Sequence, residues 1–329
     1  MSATTPFPPP AAPAWPGPLA WRLRPVTEAD LPRLTLWLPP SADRVLPAPH
    51  TGERWWLLDT ADGPQACARL RPVIGREPLR HWYHVGCVVH AAPSLGLFHQ
   101  QNTLLLGNDH TGAAELADLA WDPALDLAEQ ASALQHLLRA ALLLVARDRA
   151  ALGAQLIVEL PGWRDHAGRS PFWDGLGRHF YSGDPEAALR RFGPAWRSHV
   201  AALLPRQPVY VSFLPAAAQA AIAQVPVAAR PLLGVLAAEG LHYGHHVTLD
   251  EGGPVFEARV DTLPAVLQVR RRSLVAARPR GEWPSTTWLV AGETGDEVLA
   301  LRARGTSPQT LAVPAEWVRG PSWTLPLAV

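Results

Sequence analysis

Four polar side chains fall within eight residues at Asn108, Asp109, His110 and Glu115. A carboxylate from Asp109 or Glu115 can attract a guanidinium or ammonium group. An imidazole such as His110 can give or take a proton near neutral pH. The alternative for Asn108-Asp109 is a turn whose short polar side chains bond back to the nearby backbone. Further along, Asp126-x-x-Glu129 has the spacing of a capping box, in which the first side chain takes amides at a helix start and the second reaches back. Arg169, Ser170, Arg178 and His179 flank Phe172-Trp173. They read either as contact residues or, preferably, as the ends of a helix whose aromatics enter the core and whose last turn Arg178 complements. His242, His245, His246 and Asp250 raise the question of a metal. Adjacent residues on a strand face opposite ways, so His245 and His246 are not expected to share an ion, and no metal site is expected. Arg270-Arg271-Arg272 reads as a solvated loop or a contact to the other domain rather than a nucleic-acid patch.

Those groups need strands and helices to hold them. Residues 21–26 alternate as a first strand, and Thr27 can cap a short helix through Trp37. Residues 54–59 and 64–73 read as strands joined by an Asp62-Gly63 hairpin turn. Residues 83–90 and 114–121 are further strands, the second ended by Asp122-Pro123. The longest helix runs over 127–149, followed by a strand at 155–160 and a short helix at 171–180. Residues 208–214 are extended. Residues 215–224 and 231–239 are helical, the latter stopped by Gly240. Residues 241–249 and 255–260 are strands around Glu251-Gly252-Gly253, and the chain after Leu263 has the alternation and turns of a small all-β unit, clearest at 296–311 and 323–329. A helix precedes both Leu176-Gly177-Arg178-His179-Phe180 and Gly240-Leu241-His242-Tyr243, which hints at two related α/β halves.

The chain has 329 residues, 48% of them hydrophobic, which is enough for a sizeable core. Lys+Arg and Asp+Glu are balanced at 29 each, and every strong cation is Arg. That balance argues against bulk electrostatic binding to nucleic acid or an anionic membrane. Cys67 and Cys87 are too few for a disulfide framework or zinc knuckle and read as two small buried hydrophobes. Residues 1–18 are Pro- and Ala-rich and are expected to be a disordered tail without the features of a secretory signal. No apolar run approaches a membrane span. A cytoplasmic location is expected.

Three stretches together resemble the arginine N-succinyltransferase family. The first is Tyr83-His84-Val85-Gly86-Cys87-Val88-Val89-His90-Ala91, with Gly107-Asn108-Asp109-His110-Thr111-Gly112 and Glu115-Leu116. The second is Gly168-Arg169-Ser170-Pro171-Phe172-Trp173-Asp174-Gly175-Leu176-Gly177-Arg178-His179-Phe180. The third is Pro205-Arg206-Gln207-Pro208-Val209-Tyr210 with residues 219–225 and Ala238-Glu239-Gly240-Leu241, and Gly252-Gly253-Pro254 followed by Glu257 also fits. The likeness implies an α+β, GNAT-like mixed α/β acyltransferase fold with two related halves. The expected parts are an N-terminal acyl-CoA domain at 19–195, a second α/β part at 196–262 and a small C-terminal β unit at 263–329. It implies succinyl transfer from succinyl-CoA to the α-amino group of arginine, the first step of a bacterial arginine-degrading pathway. Leu119 would touch the acyl-CoA, and Asn108, Asp109 and Glu115 would lie near the amino acid. Acyl-CoA would be a co-substrate, with no resident cofactor. The expected partners are these substrates and a like or related subunit, without nucleic acid or membrane.

Two features depart from the resembled pattern. The family's proposed proton donor is a His in a Gln-Val-His-Pro string. Here the string is Gln224-Val225-Pro226-Val227-Ala228-Ala229-Arg230-Pro231, so Pro226 stands in its place and has no side-chain proton to give. His110 is the nearest candidate substitute. The coenzyme's pyrophosphate would sit on free amides at a helix start. No Gly or Arg occurs between Pro123 and Leu138, although Arg139 matches a later family Arg, and Asp126 and Glu129 compete for those amides. Losing one or two charge-assisted contacts, at ~1.5–3 kcal/mol each, weakens coenzyme binding by roughly 10- to 10⁴-fold. The two expectations are an acyltransferase with a damaged coenzyme seat, or an impaired paralogue serving as partner or regulatory subunit of an active enzyme.

Overall fold

The computed structural model describes residues 19–38, 46–48, 51–277 and 286–327. The tail expected over residues 1–18 lies outside them, as do the last two residues of the strand expected over 323–329. Alternation starts the fold: β1 (Leu19–Pro25) buries Trp21 and Leu23 on one side and brings Arg22 and Arg24 to Asp59 on the other. Thr27 comes next, donating its N–H and hydroxyl to Asp30 at 2.9 and 2.7 Å, and this turn leads into α1 (Leu31–Trp37). β2 (Arg54–Thr60) and β3 (Gly63–Arg71) meet at the Asp62-Gly63 turn, where Gly63 has φ +111, a conformation only glycine adopts freely.

β4 (Trp82–Ala92) and β5 (Leu97–Gly107) form a long antiparallel hairpin, whose outer part leaves Cys87 exposed where burial was expected, while Cys67 on β3 is buried. β5 has no counterpart among the strands expected from the sequence, because Leu97 and Phe98 are exposed and its outer half shows no inward-outward alternation. β6 (Ala114–Trp121) leads to α2 (Leu127–Arg147) and β7 (Gln155–Glu159), within a residue or two of the expected bounds. Short helices succeed them, namely α3 (Pro171–Gly175), α4 (Pro185–Phe192) and α5 (Trp196–Ala201). Next come β8 (Val209–Tyr210), α6 (Ala216–Ala221) and α7 (Arg230–Ala238). Leu176 leads into a 3-10 turn at Gly177–His179, whereas Gly240, at φ +91, ends the α7 region and opens β9 (His242–Thr248). β10 (Pro254–Arg259) and α8 (Pro264–Gln268) complete this part. The last strands are β11 (Arg270–Ala276), β12 (Thr287–Ala291), β13 (Val298–Arg302), β14 (Arg304–Ser307), β15 (Thr310–Val313) and β16 (Ser322–Leu327).

The architecture is α+β, as expected. The strands hydrogen-bond in the order β14-β15-β11-β16-β12-β13-β1-β2-β3-β6-β7-β10-β9-β4-β5-β8. β13 pairs with β1, so the ladder runs on from the C-terminal strands into the first. Among the described residues only β6–β7 and β11–β15 are parallel. α2 lies across one face and buries Leu134, Leu137, Leu138 and Leu142 against Trp56, Leu58 and Leu116, with Leu232 and Leu236 of α7 beside it. A second core packs Phe172, Trp173, Trp196 and Ala218 against Tyr83, Leu104 and Val247. A small further cluster joins Trp82 of β4, Ile157 of β7 and Val255 of β10 with Ile74 and Ala113.

On α2, His136 stacks on Trp21 with ring centroids 4.8 Å apart. Burial pushes its pKa down from 6.5 to about 4. Above pH 6.5 the ring is neutral in both folded and unfolded chains. As pH falls toward 4 the unfolded chain gains a proton that the folded one refuses, and stability is lost through that window. His136→Phe keeps the stack and removes the titration. Urea melts at pH 7 and pH 4 should show wild type losing about 2–3 kcal/mol more than the variant; equal losses would contradict this reading.

Candidate active site

β6 and β7 pair only at Ala114–Leu156 and Glu115–Ile157. Beyond Glu115, the β7 side of β6 has no ladder partner among the described residues, while β7 continues against β10. A register shift against β3 lies between Cys67 and Arg69, and Asp118 there has φ +52, the mark of a bulge that re-aims the next side chains along the strand. Asp118 is held by Arg69, with Oδ2 3.0 Å from Nε. Leu119, the expected acyl-CoA contact, comes next. It is half-buried and packs with Trp121, Leu125 and Val225 against the α2 core.

The start of α2 is closed by its own side chains. Asp126 Oδ1 accepts from the amides of Ala128 and Glu129 at 2.8 and 2.9 Å, and Glu129 Oε2 accepts from the Asp126 amide at 2.9 Å. Both carboxylates are exposed and face any anion approaching that helix end. Arg139 is 7% exposed and lies 3.5 Å from Glu239, too deep to reach such an anion. Burial raises the Glu239 carboxyl, and Arg139 offsets part of that. Pro226 precedes a 3-10 turn, and its carbonyl accepts from the Ala229 amide at 3.0 Å.

Glu115 was expected near a substrate guanidinium. Instead it lies inside a chain of internal ion pairs, with its side chain 2% exposed. Arg71 donates to it at 2.9 Å, and Arg80 donates twice, at 2.7 and 3.0 Å. Arg80 also reaches Glu159, which accepts from Trp82 Nε1 at 2.6 Å and from Arg197 at 3.1 Å. Arg197 closes the series on Asp250 at 2.9 Å. Burial alone would raise the Glu115 carboxyl, but Arg80 and Arg71 outweigh it and hold it well below the usual carboxylate range. A carboxylate so enclosed fits a role in tying β3, β6 and β7 to α5 better than contact with a ligand.

Asn108 and Asp109 sit on the exposed turn between β5 and β6, where Thr111 donates its amide and hydroxyl to the Asn108 carbonyl at 3.0 and 2.8 Å. His110 turns inward and is 2% exposed, edge-on to Trp82 and His246 with centroids 5.0 and 4.4 Å away. Burial, and then the neighbouring His246, lowers its pKa to about 4. At neutral pH it carries no extra proton, so it fits poorly as a substitute proton donor. His246 and Glu257 complete this inner cluster, while His242 and His245 stay exposed and Asp250 belongs to Arg197. Sequence reasoning set His246 aside with its neighbours and gave Glu257 no role. A register shift in β9 brings them together, and positive φ at His245 marks it.

The profile of the family described as "Arginine N-succinyltransferase beta subunit" matches residues 59–265, which hold all of these positions. The chain belongs to the arginine N-succinyltransferase family. It is 34% identical over 244 residues to "Arginine N-succinyltransferase" of Enterobacter sp. (strain 638), covering 74% of this chain and 69% of that protein. It is 38% identical over 228 residues to the protein of that name from Yersinia pseudotuberculosis serotype O:3 (strain YPIII), covering 68% and 64%. The match to the Yersinia protein therefore spans just under two thirds of its length. A solved structure, "arginine/ornithine succinyltransferase subunit AI from Pseudomonas aeruginosa", superimposes with TM-score 0.72 at 20% identity, over 94% of this chain and 100% of the other, and shows the fold.

The Arg–Glu chain carries a stability prediction. Removing one member of a buried pair leaves its partner's charge uncompensated and costs ~3–5 kcal/mol. Glu115→Gln should lower unfolding free energy by about that amount, whereas Arg169→Ala, at the exposed pair with Asp165, should cost no more than ~1 kcal/mol. Denaturant titration that finds the two alike would contradict the assignment.

Proposed function

We propose that the protein works in succinyl transfer from succinyl-CoA to the α-amino group of arginine, as an acyltransferase whose hold on the coenzyme is weakened by its own helix cap. The names of the relatives support succinyl transfer to a nitrogen of arginine, and the gap between β6 and β7 beside Leu119 offers a place for a thioester. The weakening rests on one observation, the closed Asp126–Glu129 box. Holding amine and thioester in line can be worth roughly 7–11 kcal/mol without any proton donor. Each missing proton transfer then costs about 10²–10⁴-fold. Pro226 supplies none, and His110 is neutral and buried. Acyl-CoA is a co-substrate in this reading, and no organic cofactor is required. The proposal includes a bacterial cytoplasmic location; among the described residues no helix is long and apolar enough to cross a membrane.

The second reading is an impaired partner or regulatory subunit of a competent succinyltransferase. The joint loss of the imidazole and the open helix start favours it, and the structural relative is itself titled a subunit.

Calorimetry with CoA should give no micromolar binding to wild type, and Asp126→Gly with Glu129→Ser should tighten it at least tenfold. Micromolar binding by wild type would contradict the reading of the cap. Release of thiol from succinyl-CoA with arginine should be far slower than the ordinary ~1–10³ s⁻¹. A complete absence of turnover, with stable association with an active relative, would support the subunit reading instead. Pro226→His alone should raise the rate by less than tenfold; a hundredfold gain would show that the helix start was adequate all along.

A further inference from the structure

His110, His246 and Glu257 come from the β5–β6 turn, β9 and β10, yet one donor atom from each lies within 4.8 Å of the others. Glu257 reaches this place because residue 244 is glycine: a Cβ there would stand 2.3 Å from Glu257 Cδ. The carbonyl of the same Gly244 lies 2.8 Å from His246 Nδ1. That contact makes Nδ1 the N–H and leaves the lone pair of a neutral ring on Nε2. A backbone carbonyl fixing the far nitrogen in this way is the usual support for a metal-binding imidazole.

Nε2 of His246, however, faces another acceptor, Asp109 Oδ2, at 3.1 Å. A lone pair and a carboxylate at that distance repel unless a cation joins them. A proton on Nε2 satisfies this contact but does nothing for His110. Both nitrogens of the His110 ring are buried without a hydrogen-bond partner, and Nδ1 lies 3.5 Å from Glu257 Oε2. A single cation answers both problems.

We propose that His110, His246 and Glu257, with Asp109 as a fourth ligand, bind a divalent transition-metal cation of the zinc class. Two neutral imidazoles and two carboxylates balance a double positive charge, and imidazole selects zinc, iron, nickel or copper over magnesium and calcium. Tetrahedral bonds of about 2.0–2.1 Å place donor atoms about 3.3 Å apart. The His110–Glu257 contact is already close to that, and all three donor atoms lie within 4.8 Å of one another. The ion cross-links β9, β10 and the turn that carries Asn108 and Asp109. The sequence reading expected no metal because it weighed His246 against its strand neighbours and not against His110 and Glu257, which are distant in the chain.

Chelator-treated full-length protein is titrated with Co²⁺ and with Zn²⁺ against a chromophoric competitor. Wild type should take up one equivalent, show the intense visible bands of tetrahedral cobalt, bind zinc at micromolar strength or better, and melt at a higher temperature with zinc. Magnesium should change nothing. His246→Ala should weaken zinc at least a hundredfold and Asp109→Asn at least tenfold, while His245→Ala, on the exposed neighbour, should leave it unchanged. Asp109 has a side chain 59% exposed, so its variant serves if the buried one does not fold. No stoichiometric uptake by wild type, or uptake that ignores both variants, overturns the proposal.

Discussion

The amides that begin α2 can serve one acceptor at a time. Asp126 takes two of them and Glu129 takes the amide of Asp126, all at 2.8–2.9 Å. A helix start is the natural seat for a pyrophosphate because its amides are free and its dipole is positive. Here the amides of Ala128 and Glu129 are already taken, and two negative charges stand in front. A ligand anion must displace local carboxylates that are covalently tethered beside their donors. The cap gives the long helix a firm beginning, and an anion arriving there would compete with Asp126 and Glu129 for the same amides.

The polar interior obeys a similar logic of internal satisfaction. Arg71, Arg80 and Arg197 alternate with Glu115, Glu159 and Asp250, so each charge has its opposite from this chain. Such a series fixes where β6 and β7 lie relative to the helices behind β4 and β9, and it leaves little charge to recognise a substrate. The inner cluster of His110, His246, Glu257 and Asp109 is the exception. There Nε2 of His246 faces a carboxylate oxygen of Asp109, and the two ring nitrogens of His110 make no hydrogen bond.

Local chemistry was legible in the sequence wherever it depended on neighbours in the chain. The Asp126-x-x-Glu129 spacing marked the start of α2, and Asp62-Gly63 marked the β2–β3 turn. Pro226 could be read directly at the position where the resembled pattern has a His. The features that escaped were set by contacts across the sheet. Glu115 looked available because nothing near it in the chain shows that Arg71 and Arg80 converge on it. β5 has exposed Leu97 and Phe98, so burial periodicity could not reveal it. The His110–His246 approach depends on a bulge near Gly244 and His245, and alternation counting cannot foresee a bulge.

The most direct measurement is to record the amide resonances of ¹⁵N-labelled protein while CoA is added, tracking Ala128 and Glu129. With the cap holding these amides, their shifts should stay fixed through millimolar coenzyme. Large, saturable shifts at both, which would mean that the diphosphate had replaced Asp126, would contradict the account.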